Sequence, residues 1–384
     1  MEMKYILLII ISLLFTLGSA DINVTQFGTK ADGKSDDSGA FTKAWKSACN
    51  SDDSTTLYVP VGNYLLYPTI FGGPCKSPKI TINLEGNLIA STDINKVDDG
   101  SWLRFENIDG LEINGGVLDG KGAPYWHCKE DDGDCPVGAR SLVIKNCKNV
   151  RMNNLTSMSS KKFHIALDNS KGINLHGIKI RAPGNSPNTD GIHVDGSSDV
   201  LIRDASIQTG DDCISISPGT HDLHVEQVTC GPGHGISIGS LAHSLDEPGV
   251  QNVTVKNVVF HGTTNGLRIK SFARKSNGFV KNIVYDGVVM NNVENPIIID
   301  QKYCPHGHCP NQKSGIKISD VMYKNITGSS TTKVAINFNC NASNPCNNIE
   351  LQDVDLTYKG KKGQASCTNA NGKATGVVTP PSCL

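Results

Sequence analysis

The residues that could do chemistry gather in the middle of the chain. Two aspartates stand side by side in TGDDC, Thr209 to Cys213. Adjacent carboxylates repel when both ionise, so folding alone gives little reason to pair them. Asp190, in NTDG, lies 21 positions before Asp211 and 22 before Asp212. His234, in GHG, follows Asp212 by 22 positions, and RIK sets Arg268 and Lys270 one longer interval further on. Three carboxylates at one site cannot all ionise cheaply, so one should keep a proton at neutral or mildly acidic pH. A protonated carboxyl beside ionised ones is what glycoside hydrolysis needs: one group protonates the leaving oxygen and another activates water. Two cations at the end of the series would bind an anionic sugar. Each residue alone could be a turn aspartate or a surface cation; the shared interval argues against that for the set.

Something must bring these segments together, and the sequence supplies a repeat of suitable length. A turn residue followed by apolar, polar, apolar recurs as GLEI at Gly110, NVRM at Asn149, GINL at Gly172, DVLI at Asp199 and DLHV at Asp222. It continues as NVTV at Asn252, NIVY at Asn282, GIKI at Gly315 and NIEL at Asn348. Periods of about 20–50 residues mark stacked units, and each phrase reads as a short strand with one face to a core. The leucine lattice of leucine-rich repeats is absent, and propeller blades of about 40–45 residues are too long for the central intervals. The spacing predicts an all-β chain wound as a right-handed parallel β-helix. Solenoids need capped ends. SGAFTKAWKSAC, residues 38–49, reads as an amphipathic capping helix with Ser38 as N-cap and Phe41, Ala44, Trp45 and Ala48 on one face. Neighbouring rungs stand about 4.8 Å apart, so Asp190, the Asp211/Asp212 pair and His234 should form one column. Arg268 and Lys270 share a strand face because side chains alternate with period two.

Composition agrees. With 38% hydrophobic and 19% charged residues and 39 glycines, the 384-residue chain suits a loop-rich β protein better than a helical bundle. A formal net charge of -1 gives no global field for nucleic acid or membrane. Lys4, the apolar run from Tyr5 to Leu17 and Gly18-Ser19-Ala20 read as a secretory signal peptide over residues 1–20. Residues 21–384 then form a single catalytic domain with no further membrane segment. The 13 cysteines all follow that leader, as expected in an oxidising compartment. Proximity in sequence suggests Cys49 with Cys75, Cys128 with Cys135, Cys213 with Cys230, Cys304 with Cys309, Cys340 with Cys346 and Cys367 with Cys383. That leaves Cys147 as a buried thiol, although sequence leaves connectivity open. Sequons at Asn23, Asn154, Asn252, Asn325 and Asn341 fit the secretory route.

NTD, GDD, GHG and RIK, in this order and at these spacings, resemble the signature of the polygalacturonases, glycoside hydrolase family 28. The resemblance runs from FGTKADGKSDDSGAF through CGPGHGISIGSL to the terminal cysteines. It implies a right-handed parallel β-helix and inverting hydrolysis of α-1,4 links between galacturonic acids in demethylated pectin, without a metal or other cofactor. The family's general acid falls on Asp211 and its water-activating bases on Asp190 and Asp212. His234 matches the histidine that tunes the acid. Arg268 and Lys270 match the residues that grip substrate carboxylates. Asn188 falls in the cleft, and Tyr303, in DQKYC, matches a tyrosine that contacts the sugar. The family inverts although its carboxylates lie closer than the usual separation rule. FTKAWKSAC, FGGPCKSP, SSKKFHIAL and IDQKYCP resemble pollen exo-acting members. The expectation is a secreted, monomeric, extracellular enzyme of the cell wall, acting on homogalacturonan from the non-reducing end rather than internally.

Other signals are weaker. CPHGHC, residues 304–309, could suggest zinc, but a small disulfide loop suits a secreted chain better. GHGISIG lacks the dinucleotide spacing and its βαβ context. DGKSDD lacks the later glutamate of a calcium loop and reads as a turn. His193 and His243 read as hydrogen-bonded structural groups near the cleft. The rivals are an endo-acting enzyme, a pectate lyase with calcium on the carboxylates, a rhamnogalacturonan hydrolase, disfavoured by the intact RIK, and an inactive pectin-binding wall protein, disfavoured by the complete aspartate set.

Overall fold

The structure is a computed structural model that describes residues 20–96, 100–131, 134–305, 307, 309 and 313–384. Residues 1–19 of the leader and the two histidines of CPHGHC, His306 and His308, lie outside the described residues.

Alternating side chains and periodic corners stack the chain as the repeat predicts, into a right-handed parallel β-helix. Its strands form one 20-stranded and one 11-stranded sheet. Among the described residues each strand pairing is parallel except the short turn of Thr357 and Tyr358 against Lys361 and Lys362. The first apolar residues of the seven phrases from Gly110 to Asn282 lie in one register: Leu111, Val150, Ile173, Val200, Leu223, Val253 and Ile283. All seven are buried. The residue just before each has positive φ: Gly110, Asn149, Gly172, Asp199, Asp222, Asn252 and Asn282. Glycine, asparagine and aspartate are the types that tolerate this left-handed corner. The corner side chains also bond between rungs, Asn252 Nδ2 donating to Asp222 Oδ1 at 2.9 Å and Asn282 Nδ2 to Asn252 Oδ1 at 3.2 Å.

One phrase is misplaced by sequence. Ile283 pairs with Val321, and Val321 with Ile349, so the rung begins at Asp320, which has φ 58°. Gly315 sits in the preceding connection, where an added Cβ would meet the Ser276 backbone at 2.0 Å.

The capping helix α1 spans Ser38–Cys49 and buries Phe41, Ala44, Trp45 and Ala48. Trp45 packs edge-on to Phe71 and Phe105, and its Nε1 donates to Gly72 O at 3.0 Å. Burying such a side chain stabilises by about 1.5–3 kcal/mol. Ser38 is not the N-cap. Asp37 holds that position without a side-chain cap, because its carboxylate accepts from the backbone of Lys30 at 2.7 Å and Ala31 at 3.1 Å. Ser38 Oγ accepts instead from Tyr67 N. All six expected disulfides form, and Cys147 is free and buried. Cys304 and Cys309 are therefore consumed as a disulfide, not as zinc ligands.

The 11-stranded sheet carries the middle motifs. In Ile192–Asp195, Ile214–Ile216, Ile236–Leu241 and Asn265–Ser271 the core-facing residues are Ile192, Ile214, Ile236 and Leu267. Between them His193, Ser215, Ser237 and Arg268 follow one another in register on the other face.

Candidate active site

Asp190, Asp212 and His234 each stand two residues before one of these strands, and backbone bonds fix them in step. Gly191 N donates to Asp212 O at 2.9 Å, Cys213 N to Gly235 O at 2.8 Å and His234 N to Asp211 O at 2.7 Å. Gly235 has φ 86°, and a Cβ there would meet Asn265 O at 2.1 Å, so GHG needs its second glycine. The Cys213–Cys230 disulfide ties the aspartate turn to the end of the next rung's strand. Thr189 and Thr209 hydroxyls bond at 2.7 Å, holding the NTDG and TGDDC turns together.

Asp212 is the anchor. Arg268 Nη2 reaches its Oδ1 at 2.6 Å and Lys270 Nζ its Oδ2 at 2.8 Å. Ser237 Oγ donates to Oδ1 at 2.8 Å and accepts from Arg268 Nε at 2.9 Å. Burial alone would push this carboxyl up, but Lys270 and Arg268, with hydrogen bonds from Lys270 and Ser237, hold it below the usual range. Asp190 has the opposite fate. Burial, then the charges of Asp211 and Asp212, push it well above the ordinary value. Burial and its neighbours therefore drive Asp190 to keep a proton, where Asp212 is held ionised.

Asp211 is more open, with its side chain 19% exposed. His234 Nδ1 lies 3.1 Å from its Oδ1, and Asn188 Nδ2 lies 3.4 Å from its Oδ2. Tyr303 closes the far end. Its ring centroid lies 5.2 Å from Lys270 Nζ and 5.9 Å from Arg268 Cζ, close enough for cation–π contact. Every sequence-predicted residue thus falls in one continuous group. His193 bonds Ser215 at 2.7 Å and is pushed down to about 4 by burial, and His243 lies 3.2 Å from Ser240 Oγ, so both have the local partners expected of them. Sequence reading missed Ser237; the alternation in GHGISIG places it one rung before Arg268.

Asp211, Asp212 and His234 present ligand atoms within 4.8 Å of one another. A divalent cation there would compete with Arg268 and Lys270, which already occupy both Asp212 oxygens. The donor set suits an organic anion near the two cations better than calcium.

Comparison with known proteins points the same way. Residues 49–379 match the glycosyl hydrolases family 28. The chain is 49% identical over 365 residues to a polygalacturonase of Prunus persica, covering 94% of this chain and 93% of that one. It is 41% identical over 358 residues to an exopolygalacturonase of Platanus acerifolia, covering 92% and 94%. Among solved structures, an endo-xylogalacturonan hydrolase from Aspergillus tubingensis superposes with a TM-score of 0.83 over 93% of this chain and 100% of that one. At 22% identity, that likeness concerns the fold.

Proposed function

Because the chain belongs to glycosyl hydrolases family 28 and is a glycoside hydrolase of the polygalacturonase kind, we propose that it releases galacturonic acid from the non-reducing end of demethylated pectin, with inversion. The observation that carries the chemistry is the opposite treatment of two carboxylates. Asp212 is held ionised by two cations, and Asp190 is driven to keep a proton. Asp211, the more open carboxyl beside His234, is the general acid. The crowded carboxyls share one proton; in the reaction it serves at Asp211, which donates it to the leaving oxygen, while Asp190 and Asp212 activate the attacking water. Arg268, Lys270 and Ser237 take three of the roughly four lone-pair sites of Asp212, which leaves one to accept from the attacking water. Arg268 and Lys270 bind one substrate carboxylate, Tyr303 packs on that sugar, and Asn188 borders the cleft.

Exo action is supported by a wall on the N-terminal side of Asp190. Helix α2, Ala123–Glu130, with the Cys128–Cys135 disulfide, is inserted between two rungs. Glu130 Oε1 accepts from Asn185 Nδ2 at 3.4 Å, joining the insert to the loop that carries Asn188. The name of the Platanus relative agrees. The apolar leader and six disulfides support secretion of residues 21–384, which we read as one monomeric catalytic domain. No helix among the described residues is long and apolar enough to cross a membrane. The test is product analysis on a galacturonate pentamer. Monomer alone at early times supports the reading, a spread of lengths means endo cleavage, and a product with an unsaturated chromophore means lysis.

A further inference from the structure

Lys162 is a cation that the site leaves unpaired. It is half-buried, and among the described residues it has neither an ion pair nor a side-chain hydrogen bond. Its neighbours are engaged. Lys161 Nζ donates to Ser91 O and Gly120 O at 2.8 and 2.7 Å, a structural role. Arg140 pairs with Asp168 at 2.7 Å. Burial, then Arg140, disfavour the charge on Lys162, Lys129 adds to this, and Asp190 opposes it. Leaving such a cation unpaired is costly, and an arriving anion would relieve the cost.

Its position fits that anion. Lys162 Nζ sits 5.0 Å over the Phe163 ring, and Phe163 stacks on His193 at 4.4 Å. His164 N donates to Asp190 O at 2.8 Å, so this flat aromatic pair adjoins the Asp190 turn. Ile165 pairs with Ile192 and Ile192 with Ile214. Lys162 therefore lies two rung steps, about 10 Å, to the N-terminal side of Asp212. Arg268 approaches Asp212 from the C-terminal side. The aspartates stand between two cationic centres.

We propose that Lys162 binds the carboxylate of the galacturonate on the non-reducing side of the scissile bond, and that the Phe163 ring is the floor on which this sugar packs. The inference rests on the exo hydrolase reading above and adds which group recognises the terminal uronate. One cationic centre then reads each side of the broken bond, so a neutral sugar or a methyl ester is rejected at either place.

The test measures binding, not turnover. Calorimetry compares a galacturonate trimer with the same trimer methyl-esterified on its non-reducing residue, using Asp211→Asn protein so that neither is consumed. The trimer should bind more tightly than its ester. Lys162→Met should weaken the trimer by about 10- to 100-fold, the usual effect of losing a hydrogen bond to a charged group, and should leave the ester nearly unchanged. Lys162→Arg should keep the discrimination, which separates lost charge from lost packing. Unchanged trimer affinity in Lys162→Met, or discrimination that survives it, would overturn the proposal. An endo product pattern from the active enzyme would overturn the exo reading while leaving the binding result standing.

Discussion

Replacing Asp212 by asparagine tests the anchor most severely. The side chains of Asp212, Arg268 and Lys270 are 2%, 11% and 8% exposed, so solvent screens their attraction little. The asparagine oxygen could still accept from Ser237 and Arg268. Its amide nitrogen would then face Lys270 Nζ across the present 2.8 Å, donor against donor. Removing one partner of a buried pair costs about 3–5 kcal/mol, mostly through the charge left behind. Denaturant titration of the wild type, Asp212→Asn and Asp212→Asn with Lys270→Met should show that loss in the single variant. The double variant, which has no stranded ammonium, should recover part of it. Activity should stay low in both, since a lost base costs about 10²–10⁴-fold. A single variant within about 1 kcal/mol of wild type, the range of exposed pairs, would refute the claim that Asp212 is locked between two desolvated cations.

Other consequences follow from the same geometry. Asp190 has a native pKa raised above its ordinary value of 3.8. Wild-type stability should therefore fall as pH rises from that value through the native one, and the slope should be missing in Asp190→Asn. Melting curves should agree at about pH 3.5 and favour the variant at about pH 7; parallel curves would contradict the assignment. Asp211→Asn should fold normally and lose about 10²–10⁴-fold in kcat on polygalacturonate, yet recover most activity on an aryl galacturonide whose leaving group needs no proton. A variant equally slow on both substrates would remove Asp211 from the acid role. Replacing Cys213 and Cys230 together by alanine should cost about 3 kcal/mol, the loop-closure value for about 15 residues, and should lower kcat by loosening the Asp211–Asp212 turn; unaltered melting would exclude that tie.

The solenoid is legible because its constraints are local. Corners need Asn, Asp or Gly, strands alternate with period two, and a carboxylate one coil from the next must share its face. That is why the Asp190, Asp211, Asp212 and His234 column can be drawn from intervals alone. The misses arise where three-dimensional competition decides. GIKI at Gly315 imitates a rung, but a connecting loop absorbs it and Asp320 makes the corner. Asp37 displaces Ser38 at the helix start because a neighbouring loop recruits its carboxylate. That one carboxyl keeps a proton could be expected; that Asp190 is driven to keep one depends on burial, which an interval does not reveal. Lys161 and Lys162 look alike in sequence, and only the fold sends one onto backbone carbonyls and the other toward Asp190.

Catalysis turns on water, activated between Asp190 and Asp212, attacking the face opposite the leaving sugar. Proton NMR of the first galacturonic acid released from an α-linked oligomer, recorded before mutarotation, tests this directly. The β anomer is the predicted product. Initial release of the α anomer would mean that a carboxylate attacks first, and would contradict the roles assigned to both aspartates.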